Sequence, residues 1–310
     1  MKVSLSLAPK SVEYVARRLA EMKAAGFEAV DFQLCEEFTY GQIQHQHARS
    51  AFFDQTLEEL YAHYAPYKQL LAEHGITVGQ THAIFPSYVY GAGDEYNDYI
   101  VEVVKKNIAI TAFLDCKYTV LHPWTLVERG EGEDKQLEYA VNKKLYAALI
   151  DTAKEYGVVV LFENMFERDV QMRKCYDGSC QDPLEAVMYI DELNAQAGFE
   201  AFGFCLDSGH AVLCGKNVYD VVKTLGHRIK ALHLHDVLGV LDDHMAPFTG
   251  ISRWDFLVNA LKEAGYSGSI NFETSSYNAS CGYPVPDEVR AIILRYIADI
   301  GRYFVGKING

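Results

Sequence analysis

Eight short runs rich in β-branched and aromatic residues punctuate this sequence, and each is followed by a stretch with helical periodicity. The runs are "VSLSLA", "AVDFQL", "TVGQTHA", "YTVLHP", "VVVLFEN", "FGFCLDSGH", "IKALHLHD" and "SINFET", and the helical stretches read as 11–25, 54–74, 94–113, 139–156, 182–197, 216–226, 253–265 and 286–305. In "AAGF", "EHGI", "EYGV" and "EAGY" a glycine stands at or just past a helix end, where a left-handed residue stops the helix. Strands separated by helices pair in parallel. Eight such units in 310 residues predict an α/β chain folded as a single (β/α)8 TIM barrel over 1–310. An open doubly wound sheet is the alternative, and "LAPKSVEY", where its glycine-rich phosphate loop would stand, argues against it.

The aperiodic stretches 35–53, 84–93, 124–138, 164–181, 236–252 and 274–285 all follow strands. They form long loops on the C-terminal face, where barrels of this kind place their active sites. His45 and His47, in the first of them, read as loop surface rather than a metal tract. No apolar run approaches the roughly eighteen residues of a membrane span. The chain also begins with strand-like "KVSLSLA" rather than a basic, then apolar leader, so a cytoplasmic location is expected. Seven cysteines at scattered spacings predict reduced thiols, with Cys205 and Cys214 packing in the fold. A net charge of −14 with no basic stripe disfavours nucleic acid as a partner.

Side chains alternate across a strand, so "GFCLD" puts Gly203, Cys205 and Asp207 on one face and Phe204 and Leu206 on the other. The larger apolar pair suits packing under a helix, which leaves Asp207 pointing into the barrel at its rim. By the same parity Val159, Leu161 and Glu163 align, as do His233 with His235 and Asn271 with Glu273; His82 and His122 close their own strands. Carboxylates converging on a barrel mouth repel one another unless a cation sits among them. An oxygen and imidazole donor set suits one divalent ion, Mn²⁺, Zn²⁺, Co²⁺ or Mg²⁺, rather than a thiolate site.

Taken in order, "LFEN", "LDSGH", "LHLHD", "DDHMAPFTG…WDF" and "NFET" resemble the strand-end motifs of the xylose-isomerase-like sugar phosphate isomerase/epimerase superfamily, over about residues 28 to 275. The resemblance implies metal ligation by Glu163, Asp207, His235 and Glu273, with His210 contacting substrate or a further metal. His233 is expected to be a buried strand residue. It also implies a small-molecule carbohydrate substrate and barrels that can pair as a homodimer. An ion there would acidify the carbon beside a ketose carbonyl and stabilise the enediolate; Glu163 and Glu273 are then the catalytic pair that removes and returns the proton. Ketose 3-epimerases carry an arginine six residues after the metal-binding histidine, and Leu241 stands there instead. Arg168 and Arg173 are candidate anion contacts, Arg253 is placed too far out to replace the arginine, and Trp124, Phe248 and Tyr277 are candidate stacking surfaces.

The sequence also resembles apurinic-site endonucleases of the endonuclease IV type, which share the fold and bind three zinc ions. The matching positions are His82, His122, Glu163, Asp207, His210, His235, Asp242, His244 and Glu273. The acidic balance weighs against that activity, so His82, His122, Asp242 and His244 are first assigned to substrate contact. A sugar-derivative dehydratase using the same chemistry, and a non-catalytic sugar-binding protein, are the remaining alternatives.

Overall fold

The strand-like runs fold as β1 (Val3–Leu7), β2 (Ala29–Gln33), β3 (Thr77–His82), β4 (Tyr118–Val120), β5 (Val159–Glu163), β8 (Phe202–Asp207), β9 (Ile229–His233) and β10 (Ile270–Phe272) of a computed structural model. The structure describes residues 1–126, 135–274 and 285–310. These strands form one sheet in the order β10-β1-β2-β3-β4-β5-β8-β9, every ladder parallel. The barrel closes beyond β9, where Leu234 N donates to the Asn271 carbonyl and Glu273 N to the Leu234 carbonyl, both at 3.0 Å.

The surrounding helices are α1 (Val12–Ala25), α2 (Tyr40–Gln44), α3 (Leu57–His74), α4 (Asp94–Phe113), α5 (Lys135–Ala147), α6 (Ile150–Tyr156), α7 (Pro183–Ala197), α8 (Ser208–Leu213), α9 (Val218–Leu225), α10 (Trp254–Glu263) and α11 (Asp287–Asn309). Local chemistry starts and stops them. Thr56 accepts from Glu59 N while the Glu59 carboxylate accepts from Thr56 N, a reciprocal cap on α3, and Gly75 ends that helix at φ 60°. Among the described residues no helix is long and apolar enough to cross a membrane.

Strand parity divides the core into two. Phe162, Phe204 and Leu206 face outward into the main apolar layer, where Phe162 stacks on Tyr146 with ring centroids 3.7 Å apart. Val159, Leu161, Cys205, Val120 and Ala231 fill the barrel interior. Four features differ from the sequence reading, and two of them are short helices: α2 lies in the expected loop 35–53, and α8 takes up the "SGH" that closes the sixth run. The helix expected over 139–156 is two helices, α5 and α6, parted beside Tyr146, whose hydroxyl donates to the Leu121 carbonyl. The loop 164–181 holds an antiparallel hairpin of β6 (Phe166–Asp169) and β7 (Lys174–Asp177).

Candidate metal centre

Asp207 ends β8 and begins α8, and it serves both elements. Its Oδ1 accepts from His210 N at 2.7 Å, capping the helix, while both carboxylate oxygens lie 3.1 Å from His235 Nε2. Asn164, just beyond β5, clamps this corner: its Oδ1 accepts from Asp207 N and its Nδ2 donates to the Asp207 carbonyl, each at 2.8 Å. The Asn164 carbonyl then accepts from His210 Nδ1 at 2.8 Å. The abrupt polar ending of this strand is therefore a fully paired junction between two barrel strands and a helix.

Glu163, at the end of β5, is buried to 1% exposure. Its Oε1 accepts from His233 Nδ1 at 3.0 Å, and its Oε2 lies 3.1 Å from His122 Nε2. Burial works to raise its pKa, but the neighbouring His233 and His122 imidazoles outweigh it and hold the carboxyl well below the usual range. Glu273 behaves oppositely: burial pushes its pKa up, and the nearby His233 and His244 only partly offset this. Two glutamates on neighbouring parts of one rim thus differ in basicity, the difference expected of an acid/base pair.

Three histidines share one arrangement. His82, His210 and His244 donate from Nδ1 to the carbonyls of Ala83, Asn164 and Glu273, each at 2.8 Å. That leaves Nε2 of each facing the centre: toward His122 Nε2 at 3.0 Å, toward Asp242 Oδ2 at 3.5 Å, and toward Asp242 Oδ2 at 2.8 Å. Burial pulls the pKa of His82 down to about 4, so at neutral pH its Nε2 carries a lone pair. A backbone carbonyl fixing one ring nitrogen while the other faces a cavity is how metal-ligating imidazoles are oriented. His244 also holds φ 46°, a left-handed backbone uncommon outside glycine.

These donors fit a divalent ion. Ligand atoms of Glu163, Asp207, His233 and Glu273 lie within 4.8 Å of one another, as do those of His82, His122 and Glu163, of Asp207, His210 and His235, and of His235, His244 and Glu273. Glu163 Oε2, His235 Nδ1 and Asp242 Oδ1 are buried and make no hydrogen bond, so each has capacity to spare. Around Glu163, Asp207 and Glu273 the fourth group so placed is His233, while His235 sits against Asp207 and stacks on His244 at 4.2 Å.

The loop after β9 is pinned by Asp236, whose carboxylate accepts from the backbone N–H groups of Gly250 and Ser252 at 2.9 Å and from Trp254 Nε1 at 3.1 Å. Gly209 has a second structural role. A Cβ added there would lie 2.0 Å from Cε1 of the His235 ring, so Gly209→Ala must displace His235. Metal affinity is expected to fall by about 10- to 100-fold in that variant. Calorimetric titration with Mn²⁺ checks this, and unchanged affinity would remove His235 from the centre.

Other candidates lie apart from the cluster. Trp124 is buried beneath Tyr88 and Tyr90, its carbonyl held by Ser179 and Asn142. Arg173 sits exposed in the turn of the β6–β7 hairpin, and Arg168 is exposed on β6. Leu241 is exposed, and the Phe248 ring packs on Trp254 and Phe304. His45 and His47 are exposed and rest on Tyr40 and Tyr96. Tyr277 lies outside the described residues. The sequence reading passed over Asp31, Asn164, Asp236 and Phe85, whose ring lies 4.9 Å from that of His122. Asp31 carried a signal: it interrupts the apolar run "AVDFQL" with the parity that points inward.

The family model described as xylose isomerase-like TIM barrel matches residues 19–295. An uncharacterised protein of Sinorhizobium fredii is 31% identical over 185 residues, covering 56% of this chain and 52% of that one. An inosose isomerase of Halalkalibacterium halodurans is 29% identical over 150 residues, covering 46% and 49%. The matched stretches thus span about half the length of these curated relatives. Among solved structures, a D-allulose 3-epimerase from Methylomonas sp. superimposes with a TM-score of 0.69 at 15% identity over 99% of this chain and 98% of that one. A 3-keto-D-glucoside 4-epimerase from E. coli gives 0.67 at 12% identity over 98% and 99%.

Proposed function

The chain belongs to the xylose isomerase-like TIM barrel family, and from that membership we propose that it is a divalent-metal-dependent isomerase or epimerase of a small sugar or sugar phosphate. The observation that carries this reading is the buried grouping of Glu163, Asp207 and Glu273 around an imidazole, a concentration of negative charge that a divalent cation would stabilise. Held there by these carboxylates with His235, a divalent ion would supply Lewis-acid polarisation of a carbonyl, which acidifies the adjacent C–H.

The side chains do the rest. Glu273, the more basic carboxylate and the one partly open to the mouth, takes the proton from the substrate carbon. Glu163, which stands ionised, takes up a proton from solvent and returns it, while Glu273 releases to solvent the proton it took. Return to the opposite face of the same carbon gives an epimer, and return to the neighbouring carbon gives an isomer. His82, with Nδ1–H spent on a carbonyl, accepts from His122 at Nε2, and the more open His122 ring is the one left to meet substrate. The similarity to an inosose isomerase and to ketose epimerases points the same way. Leu241, in place of an arginine, sets the substrate apart from that of ketose 3-epimerases.

A second reading rests on the outward histidines. His82 and His122 with Glu163, and His210 and His244 with Asp242, offer donor sets for additional ions, which would suit a zinc phosphodiesterase. Elemental analysis of protein purified without chelator separates the two. About one divalent ion per chain, with deuterium uptake into a ketose, is expected. Two or three zinc ions with phosphodiester hydrolysis would replace the isomerase, and a chain that neither holds nor rebinds metal would exclude both.

A further inference from the structure

Below the metal grouping, one imidazole spans two buried carboxylates that belong to strands on different sides of the barrel. Asp31, in the middle of β2, is fully buried and points inward. Its Oδ2 accepts from the Ser6 hydroxyl at 3.1 Å and lies 3.2 Å from His233 Nε2, a charge contact without the alignment of a hydrogen bond. On the other edge of the ring, His233 Nδ1 donates to Glu163 Oε1 at 3.0 Å. The His82 ring lies parallel to His233, tilted by 9° at 5.7 Å, and limits its movement on one face. A carboxylate buried as deeply as Asp31 is costly unless it is paired. Besides the Ser6 hydroxyl, the group it faces is His233.

We infer that Asp31 and His233 form a positioning pair for the metal centre: Asp31 holds the imidazole, and the imidazole fixes one oxygen of Glu163 so that the other is aimed at the ion. This rests on the metal-dependent reading above. Glu163 Oε1 is spoken for by His233, while Oε2 makes no hydrogen bond and faces His122. Both nitrogens of His233 are turned toward carboxylates, so the ring orients a ligand and is not one itself, although it lies within ligand distance of the group. Partners of this kind typically govern metal affinity by about 10- to 100-fold.

The test is a Co²⁺ titration of the full chain, read by visible absorption and calorimetry, with Asp31→Asn, His233→Ala and His233→Asn. Asparagine carries an amide nitrogen near the place of Nδ1 and keeps the donor to Glu163. Asp31→Asn and His233→Ala are expected to raise the Co²⁺ Kd about 10- to 100-fold and alter the absorption band, with His233→Asn within about threefold of the unsubstituted chain. Circular dichroism confirms that each variant is folded, and rescue by asparagine is a result that loss of packing alone would not produce. An unchanged Kd in Asp31→Asn overturns the proposal, as does His233→Asn binding as weakly as His233→Ala, which would make the ring a ligand. Failure of the unsubstituted chain to take up Co²⁺ is a different result: it overturns the metal reading and this inference with it.

Discussion

Glu273→Gln is expected to slow the exchange of a bound sugar's C–H with solvent deuterium by about 10²- to 10⁴-fold, the usual contribution of a positioned general base. The environment of Glu273 selects it over Glu163. Its side chain keeps 16% exposure, against 1% for Glu163, so it reaches the mouth where a substrate carbon can stand. Its pKa is raised by burial, whereas that of Glu163 is held low by two imidazoles despite burial. The more open carboxylate, free of the hydrogen bond that His233 gives Glu163, is the one placed to take a proton. Glutamine keeps a carbonyl oxygen as a donor but cannot accept a proton, so metal content is expected to survive in Glu273→Gln while exchange is lost. Glu163→Gln should instead weaken metal binding, because it neutralises the more deeply buried carboxylate, the one that His233 and His122 hold in its charged form. NMR detection of deuterium at the substrate carbon, alongside metal analysis, distinguishes the two variants. Persistent exchange in both would remove this pair from the chemistry. Intact sugar binding by an unsubstituted chain that catalyses no exchange would favour a non-catalytic binding protein.

The barrel was legible because its signals are local and repeated. Short β-branched and aromatic runs such as "VVVLFE" and glycine-stopped helices are properties of a few adjacent residues, and the parity of Cys205 and Asp207 needs nothing beyond strand geometry. What stayed hidden depends on contacts between distant segments. The break between α5 and α6 falls in "AALI", which carries no cap, glycine or proline; it is visible only once Tyr146 is seen stacked on Phe162. The β6–β7 hairpin lacks the usual turn pair, and Arg173 takes φ 52° in its turn. In the candidate site, the strand-end residues stand out in the sequence because a carboxylate closing an apolar strand is conspicuous. Asn164 follows one of them and reads as a loop residue until its side chain is seen bridging to Asp207. The geometry also separates the two histidines of "LHLH", which strand parity aligned. His235 turns toward Asp207 and His244, and His233 turns toward Glu163 and Asp31.

Removing metal from the native protein is expected to lower its Tm by several degrees, with the loss growing as pH rises from about 6.5. An ion present at about a thousand times its Kd stabilises the folded chain by about 4 kcal/mol. At about 2 °C per kcal/mol for a domain of this size, that corresponds to a shift of roughly 8 °C. The pH dependence follows from the imidazoles that face carboxylates in the metal-free fold. Burial works to lower the pKa of His244, but the hydrogen bond to Asp242 and the charges of Glu273 and Asp242 push it up to about 10. Burial acts on His210 in the same direction and is outweighed by Asp207 and Asp242, so its pKa is also raised well above the ordinary value. A raised pKa means that the protonated histidine stabilises the metal-free fold fully below the ordinary value of 6.5, and that this support is lost as pH climbs toward 10. The same protons compete with an ion for ligand nitrogens, so metal binding tightens as they leave. Both effects widen the gap in Tm between loaded and chelator-treated protein as pH increases. Thermal unfolding at pH 6, 7 and 8, with and without chelator, measures it, and calorimetry in buffers of different ionisation enthalpy counts the protons released. A gap that is absent, or that narrows with rising pH, would show that these histidines pair with the carboxylates for their own sake and that no ion belongs among them.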